Sequence, residues 1–155
     1  MAEIWTLGVA EFVNFSGREL AVKSFSGEVA PPGANGSVLI LNEMPAGGRE
    51  AAETARAAAM TASAVALNSD LPELCGLLAG TRCFAVTYGF NEKACVTVSS
   101  LDLSGEAGRL QACVLRAFRS LSGETVTRQE FNVALPRGVG AYDAMASLTA
   151  FLIYN

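Results

Sequence analysis

Apolar and polar positions along this chain fall into short runs whose period changes several times, and those changes set the predicted elements. "IWTLGVAEFVNF" (4–15) is rich in β-branched and aromatic residues, with Trp5, Leu7, Val9 and Val13 on one face at period two. In "FSGRELAVKSF" Ser16-Gly17 supplies a small turn, and Leu20 and Val22 alternate with charged or small neighbours, so the two stretches read as a β-hairpin. Residues 26–37, with Pro31-Pro32, Gly33 and Gly36, are a loop by composition. "SVLIL" (37–41) is a short buried strand, and "NEMPAGG" (42–48) breaks it.

From 49 to 67 the chain reads "REAAETARAAAMTASAVAL", an Ala-rich helix. Glu50 and Glu53 sit in its first turn, where the helix dipole favours them, and one side is nearly all Ala at 51, 55, 58, 59 and 62. "NSDLPELCGLLAG" adds a short helix in which Asp70 and Glu73 have capping-box spacing and Gly80 marks the stop. "TRCFAVTYGF" and "KACVTVSSL" predict a second hairpin about Asn91-Glu92. In 105–121, Leu110, Cys113, Val114, Ala117, Phe118 and Leu121 recur at helical spacing, with Ser104 as N-cap and Gly123 past the end. Residues 125–135 alternate as a strand with one wet face. The closing stretch 141–154 ends in "FLIY", and its β-branched and aromatic finish predicts a strand, apolar on both faces and so covered on both.

This order predicts a single α+β domain over 1–155: a mainly antiparallel sheet with two main helices packed on one face, a two-layer sandwich. Hairpin followed by helix occurs twice, without self-similarity at the level of residues. The open face of such a sheet calls for a partner sheet, which points to a homo-oligomer.

Composition sharpens this picture. Half of the 155 residues are apolar (51%) and only 17% are charged, leaving little polar material to cover a lone surface. The net charge of −4 argues against a protein that neutralises nucleic-acid backbones. Arginine outnumbers lysine, which occurs only at Lys23 and Lys93, a bias that carries no mechanism. Cys75, Cys83, Cys95 and Cys113 form no C-x-x-C pair, and histidine is absent, so no metal set is expected; the thiols read as free and the setting as cytoplasmic. The start lacks a signal-peptide pattern, and no run reaches the ~18 apolar residues of a membrane span.

Lack of histidine also removes Ser-His-Asp and Cys-His chemistry, leaving carboxylate, Tyr, Lys, Cys and Arg. Asp143 is the first candidate, because a carboxylate inside an apolar segment must take a proton, pair with a cation, or accept hydrogen bonds. Arg137, across "GVG", is its candidate partner, with Tyr142 or Tyr88 beside it in a site between subunits; the alternative is Asp143 capping the loop amides after "GVGA". Arg109, Arg116 and Arg119 lie on one outer side of the predicted second helix and form a candidate anion or RNA site, though a solvated helix face is the commoner outcome and no aromatic platform interleaves with them. "RGVG" and "PPGANG" lack phosphate-loop spacing. Cys75 is the candidate reactive thiol.

"VLILNEMPAGG", and a helix followed by two strands ending in "AFLIY", resemble the pyruvoyl-dependent arginine decarboxylases. That family makes its cofactor by self-cleavage at a Ser-Ser pair in the segment corresponding to 38–45. Here that segment reads "LILNEMP", and the Ser-Ser pair, Ser99-Ser100, follows a different strand. The resemblance therefore implies a related fold without the usual site, and no cofactor is expected.

The function that follows is a non-catalytic, self-associating subunit: a structural, assembly or scaffold component that meets further copies or other subunits of a complex, with no nucleic acid or membrane among its partners. The alternative is a small enzyme with an inter-subunit site using Asp143, Tyr142 or Tyr88, and Arg137.

Overall fold

The computed structural model describes residues 3–26 and 36–155. In chain order the elements are β1 (Glu3–Leu7), β2 (Ala21–Ser24), β3 (Ser37–Leu41), α1 (Gly48–Thr61), β4 (Ala64–Asn68), α2 (Pro72–Leu78), β5 (Ala85–Tyr88), β6 (Val96–Asp102), β7 (Gly108–Val114), β8 (Phe118–Arg119), β9 (Thr125–Val126), β10 (Gln129–Leu135) and α3 (Ala141–Tyr154). Eight strands form one sheet in the order β10-β7-β6-β5-β4-β3-β1-β2, and β8 pairs with β9 as a separate ribbon. The predicted loop 26–37 lies, apart from its ends, outside the described residues.

The sheet overturns the expected mainly antiparallel sandwich. From β2 across to β6 every neighbour is parallel; only the β6-β7-β10 wing is antiparallel. The parallel strands β3 and β4 are buried at every position, the pattern expected of strands covered on both faces. Alternate residues face opposite layers. Leu39, Leu41, Val65 and Leu67 pack with Ala55, Ala58 and Ala59 of α1 and with Leu74 and Leu78 of α2. Val38, Ile40, Ala64, Ala66 and Val86 pack with Met145, Leu148 and Ile153 of α3. This is an α/β arrangement with three layers over the parallel half.

Four expectations change with it. The predicted first hairpin is instead a parallel pair: β1 ends at Leu7, and the chain travels through 8–20 before β2 runs alongside in the same direction. The Ala-rich helix stops at Thr61, and "AVALN" becomes β4, because a slot between β3 and β5 offers ladder bonds on both sides. Residues 105–121 are not a helix. Their apolar positions satisfy both periods: Leu110, Ala112 and Val114 are buried at period two, and β6 and β10 pair with β7 on either side. The second predicted hairpin is likewise absent, since β6 starts beside the end of β5 and runs on parallel to it, sharing the single pair Tyr88–Val96.

Residues 141–154, expected as a strand, are helical. A helix covered almost all round needs no amphipathic stripe. Nine residues of α3 are buried, including Ala144, Ala146 and Ala150, whose small side chains let it lie close to the sheet. Its two buried hydroxyls are satisfied within the helix, Ser147 Oγ donating to the Asp143 carbonyl at 2.7 Å and Thr149 Oγ1 to the Met145 carbonyl at 2.7 Å. The segment is apolar because it is interior, yet its own domain provides the cover. On the wing, the face away from α3 carries Arg109, Gln111, Glu130 and Asn132. It is polar, so no partner sheet is required there. No helix among the described residues is long and apolar enough to cross a membrane.

Candidate functional site

Open α/β sheets bind ligands at the carboxyl ends of their parallel strands, where strand order reverses. Here that place lies between β1 and β3, since β2 and β3 flank β1 on opposite sides. The chain leaves β1 at Gly8, whose φ of +79° favours glycine, and a Cβ there would fall 2.1 Å from Glu43 Cγ. Asn42 follows β3, Asn68 ends β4 and Tyr88 ends β5, so three polar side chains meet along one crest.

They bind one another. Tyr88 Oη donates to Asn42 Oδ1 at 2.7 Å, Asn42 Nδ2 donates to the Gly8 carbonyl at 2.8 Å, and Asn68 Nδ2 donates to the Asn42 carbonyl at 3.0 Å. Burial first, then the nearby Asp143 carboxylate and the neighbouring Tyr142 phenol, push the Tyr88 phenol well above its ordinary range, so it keeps its proton and donates. Asp143 sits in the first turn of α3. Its Oδ2 accepts the Glu11 amide at 3.0 Å, and Oδ1 lies 3.5 Å from Asn42 Nδ2. One turn later Ser147 Oγ accepts the Val13 amide at 3.0 Å. Together they clip the 8–20 segment onto α3, where Val9, Phe12 and Phe15 pack against the core. The loop amide that Asp143 accepts from is thus that of Glu11 in the first crossover, not one after "GVGA".

A second knot stands beside this one. Asp70 accepts from the Phe90 amide (2.8 Å), the Asn91 amide (3.0 Å), Asn91 Nδ2 (2.6 Å) and Tyr142 Oη (2.7 Å). Burial works against its charge, but donation from Asn91, Phe90 and Tyr142 outweighs that and holds Asp70 below the usual carboxylate range. The same bond, then burial and the Asp70 charge, raise Tyr142 to about 12. Gly89 makes the approach possible, because a Cβ there would meet Asp70 Oδ1 at 2.5 Å. Phe90 stands edge-on to Tyr142, with ring centroids 5.3 Å apart. Asp70 therefore does not cap α2, whose N-cap is Leu71 with no side-chain bond.

The sequence candidates do not converge. Asp143 and Tyr142 are neighbours on α3 but serve different partners. Arg137 lines a separate cavity of about 440 Å³ between the β6–β7 and β10–α3 turns, with Leu103, Gly105, Gly108, Gly138 and Gly140. Arg109 lies on β7, Arg116 between β7 and β8, and Arg119 on β8, so the expected single helical face does not exist. Cys75 is exposed on α2, Cys83 lies 3.1 Å from Thr81 Oγ1, and Cys113 is buried. Ser99 and Ser100 are exposed on β6 at a register shift in its pairing with β7. Among the described residues no three Cys, Asp or Glu side chains gather as metal ligands do.

What the sequence reading passed over is the outer side of β10. Among the described residues no strand pairs there. Between that strand and α3 runs a groove of about 440 Å³, walled by Phe15, Phe131, Val133, Leu148, Phe151 and Leu152. Phe15 and Phe151 meet edge to face at 6.4 Å along it. The alternation in "QEFNVAL" was the available signal; that its polar-flanked apolar face is only half covered depends on where α3 lies.

The chain matches no family model, and no curated protein matches it. Among solved structures it is similar to a point mutant of L. casei FPGS, at 17% identity and a TM-score of 0.39, over 86% of this chain and 34% of that one. The chain thus spans about a third of that protein's length, and a likeness this loose carries no argument about fold or function.

Proposed function

We propose that this protein is a non-catalytic subunit that self-associates, and that the unpaired edge of β10 with its apolar groove is the surface it uses. The observation that carries the reading is the contrast between the two ends of the sheet. β2 is four residues long, and its Lys23 pairs with Glu3 and stands 5.1 Å over the Trp5 ring. A short edge bearing a lysine is a protected one. β10 runs for seven residues with neither lysine nor proline, and its one charge, Glu130, accepts from Gln111 Nε2 at 3.1 Å. A long edge that no described strand pairs, beside apolar walls, is the feature that strand addition uses.

The crest supports the same reading from the other side. Its carboxylates and phenols, the groups from which carboxylate or tyrosine catalysis would be built, hold the chain's own amides and side chains. Multi-angle light scattering over a concentration series tests the proposal: the mass should rise to twice that of one chain. A mass that stays at one chain throughout ends it.

A further inference from the structure

The way two copies would meet can be read from β10, and we infer that they pair antiparallel about a two-fold axis through Asn132, joining two sheets into one across the groove. This rests on the self-association proposed above and adds its geometry. Antiparallel pairing continues the pattern of the wing, where β6, β7 and β10 already alternate in direction. It also lets both copies satisfy their edges in one closed interface.

A second copy is the occupant because the strand complements itself. With Asn132 on the axis, Phe131 of each copy faces Val133 of the other, on the side that holds the groove. Aromatic and β-branched residues directly opposite one another are a favourable cross-strand pair. Gln129 meets Leu135 on that side. On the other side Glu130 faces Ala134, and the two Asn132 amides face each other, where each can donate to and accept from its twin. No like charges are opposed within 129–135, and the only charge there meets a methyl group. A foreign strand would have to bring apolar residues at alternate positions to meet Phe131 and Val133; this chain's own β10 brings them by symmetry.

The axis makes the test specific. Asn132 is exposed, so Asn132→Lys and Asn132→Asp leave the core intact, and circular dichroism would verify the fold. Each variant alone places like charges opposite on the axis and should self-associate about fivefold more weakly in sedimentation equilibrium. An equimolar mixture opposes Lys to Asp and should recover wild-type affinity. If both variants associate as tightly as wild type, the copies meet elsewhere: the edge and its axis are overturned while self-association stands. Weakening without recovery in the mixture means that Asn132 does not face itself, which overturns the register. A wild-type chain that is monomeric at every concentration removes both proposals.

Discussion

Asn42 commits each of its polar groups to the chain: its amide to the Leu7 carbonyl, its carbonyl to Asn68, its Oδ1 to Tyr88 and its Nδ2 to Gly8. Such a buried network is stable only when complete. Tyr88→Phe keeps the ring and removes one donor, leaving Asn42 Oδ1 without a partner. The expected loss is about 1–3 kcal/mol in urea unfolding, and an unchanged midpoint would mean that water reaches that oxygen. The Asp70–Tyr142 bond makes a pH prediction with a defined sign. Asp70 is lowered in the folded chain, so its contribution is present above the unfolded carboxylate value and fades as pH falls through the folded one. Tyr142 is raised to about 12, so its contribution is present below its ordinary value of 10.0 and fades as pH climbs from there through about 12. Urea midpoints of wild type should decline at both extremes, and Asp70→Asn should flatten the acid decline. Parallel acid curves for the two proteins would remove Asp70 from the account.

At the scale of elements, the departure from expectation is the first crossover. A helix usually joins parallel neighbours, but the described segment 8–20 runs without one, held to α3 by Asp143 and Ser147. Asp143→Ala should therefore speed hydrogen exchange at the Glu11 amide, with α3 amides such as Leu148 unchanged. Equal protection at Glu11 in both proteins would show that packing of Phe12 and Phe15, not the carboxylate, holds the segment. The acid placed inside an apolar stretch is accounted for in this way: it fastens a crossover and need not pair with Arg137.

On the scale of the whole molecule, burial and exposure are unevenly divided. The centre of the parallel half, β3 and β4, is covered on both faces, whereas β2 at its edge is largely exposed; the wing is covered by α3 on one face and polar on the other. The scarcity of charge that suggested an oligomer is answered in part by three-layer burial; the exposed large apolar side chains, Met60, Phe90 and Leu103 among them, are scattered, while the β10 groove gathers half-buried ones beside an edge that no described strand pairs. The self-association proposed above therefore rests on one edge rather than on an open sheet face. Any stability contributed by dimerisation would depend on protein concentration.

Residue order alone sufficed where one local pattern had one reading. "SVLIL" is β3 over the predicted residues, the alternation in 125–135 contains β10, and the Ala-rich stretch begins α1 within a residue of its predicted start. It failed where two periods fit one stretch. Leu110, Val114 and their neighbours satisfy helix and strand alike, and flanking ladders chose the strand. "AFLIY" favours a strand by propensity, but burial on nearly all sides, with Ala144, Ala146 and Ala150 against the sheet, made it a helix. The candidate sites divide in the same way. Asp143 could be singled out as an acid in apolar surroundings, because burial cost is a local inference. Its partner Glu11 stands 132 positions away, and Tyr142 reaches Asp70 across 72, contacts set by strand order rather than by neighbouring residues. Hydrophobic period selects local conformations; which strand lies beside which depends on long-range pairing and shared burial, and those place the crest, the clasp and the open edge.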